Sequence, residues 1–216
     1  MTKQVDDGRR EIVSRNTKWA DFVARWLAVH NITPNQISML SVLFSAIGGG
    51  ALLLSCFTSF SFYYSLIIYV LGIQLRLLCN LFDGMVAVEG GKKTPNGDLY
   101  NDIPDRFSDM FLIIPAGYVA GGYGIELGWL AVLLAVMTAY FRWIGAFKTQ
   151  KHYFNGPMAK QHRMALLTFA SIVGLCVLHI GYLPLVFLIS LIVMNIGLIA
   201  TLARRLYFMS HVESEK

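Results

Sequence analysis

Charge is scarce in this chain. Only 14% of its 216 residues are Asp, Glu, Lys or Arg, where a soluble domain carries about 25%, so a water-facing surface could not be covered. An ordinary soluble enzyme is excluded on that ground. With 56% hydrophobic residues and a mean hydropathy of +0.55, so is a disordered protein. Cysteine is scarce too: Cys56, Cys79 and Cys176 stand singly inside apolar runs. They lack the paired spacing of a disulfide-built secreted module and read as small buried hydrophobes. There is no internal repeat, no low-complexity tract and no linker dividing the chain in two. Residues 1–36 are polar and charged without an apolar core, so no cleavable signal peptide is expected.

What is abundant is long apolar sequence. A bilayer core asks for about 20 apolar residues per helix, and runs of that order fall near Ile37–Cys56, Phe62–Phe82, Phe107–Tyr123, Trp129–Phe147, Met164–Ile180 and Leu183–Phe208. The 18 Lys+Arg exceed the 13 Asp+Glu to give a net charge of +5. In a soluble protein that excess would suggest nucleic acid; its placement here points to a membrane instead, and no nucleic-acid partner is expected. The gaps after the first, third and fifth runs hold no Lys or Arg. Basic residues gather in the N-terminal segment, the two longer loops, the C-terminus and the adjoining helix ends. By the positive-inside rule both termini and both longer loops are cytoplasmic, and a bacterial inner membrane is the expected home.

The expected fold is therefore all-α and integral to the membrane: six transmembrane helices preceded by an N-terminal interfacial amphipathic helix. Residues 1–36 form a cytoplasmic N-terminal segment, 37–208 the membrane domain and 209–216 a cytoplasmic tail. In the first segment Thr17 can cap a helix whose face Trp19, Phe22, Val23, Trp26 and Leu27 is apolar, with Lys18, Asp21 and Arg25 opposite. Such a helix lies in the interface or packs on the protein's own loops. Thr33-Pro34-Asn35-Gln36 places a hydroxyl at N-cap, proline at N1 and glutamine at N3, which predicts a helix start opening the first span. Small residues four apart (Ser45/Gly49, Ala46/Gly50, Ala116/Ala120, Gly117/Gly121, Ala120/Gly124) allow close helix approach, within one chain or across a homodimer.

Ionisable groups in a span are costly unless paired or solvated, so they are functional candidates. They concentrate at the end of span two and the start of span three. Asn80 and Asp83 share a helix face at i, i+3, and Asn101 and Asp105 share one at i, i+4. Two helix ends presenting hard oxygen ligands at one level suit Mg²⁺ or Mn²⁺. Gly84 and Ala87 leave room beside them for a ligand to reach the backbone.

These residues resemble the signature of the CDP-alcohol phosphatidyltransferases, D-x-x-D-G-x-x-A-R, eight residues, then G-x-x-x-D-x-x-x-D. Every offset is kept, at Asn80, Asp83, Gly84, Ala87, Val88, Gly97, Asn101 and Asp105. The six spans, the Thr33-Pro34-Asn35 helix start and the loop between spans four and five extend the resemblance over nearly the whole chain. It departs at three positions: the first and third aspartates are Asn80 and Asn101, and the arginine is Val88. Two formal charges are thereby missing, and a site for two divalent ions holds one, or holds both only with the substrate pyrophosphate present. Asp102 and Asp109, on the same broad face as Asp105, are auxiliary candidates, although Pro104 disturbs the early turns.

The resemblance implies transfer of a phosphatidyl group from a CDP-linked lipid donor, CDP-diacylglycerol, to an alcohol acceptor with release of CMP. Carried over by position, Asn80, Asp83, Asn101 and Asp105 would ligate Mg²⁺ or Mn²⁺, and Asp105 would also take the acceptor's proton. Gly84, Ala87 and Gly97 would line the nucleotide site. Lys160 and Arg163, at i, i+3 before span five, either bind phosphate or anchor the loop by charge. Arg76, about a turn before Asn80, is a counter-charge for Asp83 or a pyrophosphate ligand, and Arg142 has similar standing. His162, His179 and Asn195 read as packing or loop residues, and Lys92 and Lys93 as a solvated loop. Two rivals remain: a non-catalytic member that binds nucleotide or lipid or serves in assembly, and a small transporter. The transporter is disfavoured because the charges sit at one face.

Overall fold

The computed structural model describes residues 17–89, 97–149 and 156–212; the loop with Lys92 and Lys93 and residues 213–216 of the tail lie outside them. Seven α-helices follow in order: α1 Lys18–Val29, α2 Pro34–Phe57, α3 Phe62–Glu89, α4 Gly97–Ala120, α5 Gly124–Thr149, α6 Lys160–Val177 and α7 Leu183–Val212. A 3₁₀ turn at Leu178–Ile180 joins the last two. No strand occurs among the described residues.

Local sequence accounts for where these helices begin and turn. Thr33 caps α2 as a capping box, its hydroxyl accepting from the Gln36 amide at 3.3 Å while Gln36 Oε1 accepts from the Thr33 amide at 2.9 Å, with Pro34 following at N1. Between α4 and α5 the chain reverses through Gly121 and Gly122, at φ +65° and +46°, a backbone region that glycine enters without a Cβ clash.

Five helices (α2, α3, α5, α6 and α7) are long and apolar enough to cross a bilayer. At 30 residues α7 reaches about 45 Å, longer than a bilayer core of about 30 Å. α4 is equally regular over its 24 residues, but its first half carries Asp102, Asp105, Arg106 and Asp109, which keep it below that apolarity. The helix continues through Pro104, so Asn101 and Asp105 do lie one turn apart.

The bundle core is formed by Leu52 of α2, Tyr69 and Ile73 of α3, Leu112 of α4, and Phe187 and Leu191 of α7. Tyr69 is fully buried and donates its hydroxyl to the Leu112 carbonyl at 2.7 Å. Two of the small residues are packed closely within the chain. A Cβ on Gly49 would stand 1.7 Å from the Phe111 carbonyl oxygen of α4, and one on Gly117 2.7 Å from the Gly124 carbonyl oxygen. Leu43, Ile47 and Leu54 of α2 and Ile189, Ile196 and Ile199 of α7 are exposed, as lipid-facing side chains would be.

α1 docks on the bundle through its small residues. Ala20 and Ala24, with Leu27 and Ala28 beside them, pack on Cys79, Leu81, Met85 and Val86 of α3. Trp19, Phe22 and Trp26 remain exposed, although the Trp19 ring meets Phe82 edge-on at 5.9 Å. Small alanines allow the close docking, so the bulky aromatics are left outside.

Candidate active site

The start of α2, the end of α3 and the starts of α4 and α6 meet at one end of the bundle, and the polar residues of the chain converge there. Ser38 of α2 donates its hydroxyl to Asp83 Oδ2 of α3 at 2.9 Å, both buried. Asp105 of α4 and Lys160 of α6 lie within electrostatic reach of Asp83. Asn80 is half-buried and donates its amide to the Arg76 carbonyl at 3.0 Å, leaving its own oxygen as an acceptor. Asn101 stands at the exposed edge, and Gly84 and Ala87 are half-buried on α3. Gly97 is the first residue of α4.

Asp105 is the centre of the cluster. Its Oδ2 accepts from Lys160 Nζ at 2.6 Å and lies 3.9 Å from Arg106 Nη2; its Oδ1 lies 3.6 Å from Arg76 Nη2. That Oδ1 is buried and has no hydrogen-bond partner. A buried carboxylate oxygen left without a hydrogen bond is costly, and is what a ligand or cation site presents. Among the described residues no three His, Cys, Asp or Glu side chains gather closely enough to hold a metal. The candidate oxygen donors are two carboxylates, Asp83 and Asp105, and the side-chain carbonyl oxygens of Asn80 and Asn101. Those are the hard oxygen ligands that Mg²⁺ and Mn²⁺ accept.

Behind this layer lies a buried ion triad. Asp109, 1% exposed, receives Arg76 Nη2 on Oδ1 at 2.8 Å and Arg163 Nη2 on Oδ2 at 2.7 Å. Arg76 is fully buried, its second amino group against Met164 Sδ at 2.8 Å. Arg163 Nη1 donates to the Met158 carbonyl at 3.1 Å. The counter-charge of Arg76 is thus Asp109, with Asp105 nearby, rather than Asp83. Of the three basic residues the sequence places at a phosphate, Lys160 alone stands at the open edge, with 26% of its side chain exposed.

Asp102, which precedes the apolar stretch of α4, faces the other way. It receives the Arg142 guanidinium and the Trp143 indole N–H. Burial pushes its carboxyl up, but the Arg142 charge and these hydrogen bonds outweigh burial and hold it below the ordinary carboxylate range.

Sequence reasoning missed Ser38, Arg106 and Arg205, the last a buried arginine donating to the Thr138 carbonyl. Ser38, Ser41 and Ser45 mark one stripe of an otherwise apolar span, which was the available signal. Arg205 carried none, lying among the basic residues of a helix end.

A bundle of long apolar helices holding an ion-paired polar cluster at one end defines an integral membrane protein with a buried charged site. The chain has the fold of Mycobacterium tuberculosis phosphatidylinositol phosphate synthase (PgsA1). With that protein in its CDP-DAG-bound form the TM-score is 0.69 at 17% identity, covering 89% of this chain and 94% of that one. With its manganese and citrate complex the TM-score is 0.70 at 16% identity, covering 88% of each. In sequence the chain is 24% identical over 159 residues to the inner membrane protein YnbA of Escherichia coli (strain K12), covering 74% of this chain and 73% of that one. No protein-family model matches the sequence.

Proposed function

We propose that this chain is a member of the CDP-alcohol phosphatidyltransferases that transfers a phosphatidyl group from CDP-diacylglycerol to an alcohol, releasing CMP, in phospholipid biosynthesis. The observation that carries this is Lys160 bound to Asp105 at 2.6 Å within electrostatic reach of Asp83, the two aspartates coming from the two separate halves of the sequence signature. Likeness in fold to a synthase whose structures contain CDP-DAG in one case and manganese in another supports it. α4 is read as the sixth span, with the charged end, both termini and the two longer loops cytoplasmic and with a homodimer as the assembly. α1 lies at the interface, Trp19, Phe22 and Trp26 toward lipid.

The chemistry follows from the groups present. The acceptor hydroxyl oxygen attacks the phosphorus that carries diacylglycerol, a new P–O bond forms, and the bond to the bridging oxygen breaks, CMP leaving with the electron pair. Asp105 receives the hydroxyl proton on Oδ1, the oxygen without a hydrogen bond. Asn80, Asp83, Asn101 and Asp105 would hold Mg²⁺ or Mn²⁺, which supplies charge neutralisation of the diphosphate. Lys160 reaches the same diphosphate from α6. Gly84, Ala87 and Gly97 would line the site of the cytidine nucleotide. Asp109 acts through others: it fixes Arg76 and Arg163, and Arg76 in turn faces Asp105.

The test is CMP release from CDP-diacylglycerol by purified protein with Mg²⁺ or Mn²⁺ across a panel of alcohols. Acceptor-dependent CMP, lost in Asp105→Ala, is the expected result. Asn80 and Asn101 favour a second reading, a non-catalytic member that binds nucleotide or lipid. Silence across the panel together with retained CDP binding would establish that one instead.

A further inference from the structure

The charge around Asp105 does not match a centre for two divalent ions. The sequence signature supplies four side-chain oxygen donors, yet Asn80 and Asn101 are neutral, so only Asp83 and Asp105 bring charge. Asp105 is already faced by three cations: Lys160 Nζ at 2.6 Å, Arg76 Nη2 at 3.6 Å and Arg106 Nη2 at 3.9 Å. Asp109 offsets Arg76 only in part, because Arg163 binds the same carboxylate at 2.7 Å. What is left for added positive charge is Asp83, whose Oδ2 takes the Ser38 hydroxyl at 2.9 Å, and the unbonded Oδ1 of Asp105. Like charges a few ångströms apart in a poorly hydrated site repel strongly, and affinity for a hard cation follows the number of charged ligands.

We propose that Lys160 stands in the place of a second divalent cation, so that the centre takes a single Mg²⁺ or Mn²⁺ ion and takes it together with an anionic diphosphate. This rests on the phosphotransferase reading above. Lys160 is the first residue of α6. Its ammonium reaches Asp105 while a quarter of its side chain stays in contact with solvent. It can therefore bind Asp105 in the empty site and turn to the diphosphate when the donor enters. The two asparagines and the lysine are then one device: the ligand charge lost at positions 80 and 101 matches a cation the protein carries itself.

The experiment is Mn²⁺ binding to the purified full chain in lipid nanodiscs, followed by electron paramagnetic resonance, with and without CDP. Wild type should bind free Mn²⁺ weakly and one Mn²⁺ per chain with CDP. Lys160→Gln should tighten nucleotide-free Mn²⁺ binding about tenfold or more. Asn101→Asp, at an exposed position that tolerates the change sterically, should tighten it in the same direction. Two Mn²⁺ per wild-type chain would overturn the proposal, as would unchanged nucleotide-free affinity in both variants. If CDP does not bind at all, the phosphotransferase reading fails, while a gain in Lys160→Gln without nucleotide still upholds the lysine's place in the centre.

Discussion

Asp109 is the residue whose loss the architecture tolerates least, and Asp109→Asn tests this with the smallest change of shape. The side chain is 1% exposed and binds two arginines at 2.8 and 2.7 Å, themselves 0% and 2% exposed in their side chains. Making it neutral leaves both guanidinium groups without their main counter-charge. Arg76 keeps the Asp105 carboxylate at 3.6 Å, whereas Arg163 keeps only its bond to the Met158 carbonyl. The damage therefore concentrates on Arg163, and removing one partner of a buried pair costs about 3–5 kcal/mol. For a chain of this length that is a drop in Tm of roughly 6–20 °C, measurable by thermal unfolding in detergent. The cause is an uncompensated charge rather than a lost bond, so adding Arg163→Met should restore part of the loss. A Tm for Asp109→Asn within about 2 °C of wild type, or a double variant worse by the full Arg163→Met effect, would refute this account.

Gly49→Ala forces a Cβ to within 1.7 Å of the Phe111 carbonyl oxygen and should cost about 1–3 kcal/mol as α2 and α4 separate. Gly50→Ala, with nothing within 4 Å, should unfold like wild type, and the same thermal assay reads both. Asp105→Asn keeps the shape of the side chain but removes the proton acceptor, and should lower CMP release by about 10²–10⁴-fold without a matching loss of folded protein. Asp102 is held below its ordinary value of 3.8, so its contribution to stability is fully present above that pH and lost as pH falls through the lower folded-state value. Asp102→Asn should accordingly be less stable than wild type at pH 7, and the gap should close below about pH 4 in unfolding measured against pH. Reporter fusions at Glu126 and Lys92 should report opposite sides of the membrane.

Much of the helical framework was legible because it depends on short-range chemistry. The box at Thr33–Gln36 needs only residues three apart, and it forms as the spacing predicts. The small-residue faces were visible as well, but not their use. Only the Phe111 carbonyl against Gly49 shows that this face is spent inside the chain. For α1 the apolar periodicity gave a face with Trp19, Phe22 and Trp26 for the membrane interface or for the protein's own loops, but not the surface that meets α3. Docking on α3 instead uses Ala20 and Ala24, since contact distance between helices, not hydrophobic size, decides which stripe fits.

The candidate site divides in the same way. Asp83 and Asp105 stood out because charged groups at the ends of two apolar spans have few reasons to gather there. Which cation belongs to which anion could not be read, because the pairs join residues far apart in sequence. Arg76 to Asp109, Arg163 to Asp109, and Lys160 to Asp105 are set by how α3, α4 and α6 pack. The distribution that results has a functional consequence. Asp109 keeps two arginines fully buried, and Asp105, though ringed by cations, retains one buried oxygen without a hydrogen bond. Asp109 takes both guanidinium groups, so Arg76 stays 3.6 Å from that oxygen and Arg163 is spent elsewhere. The buried triad therefore does more than hold three helices together, because it leaves the carboxylate in front of it open for chemistry.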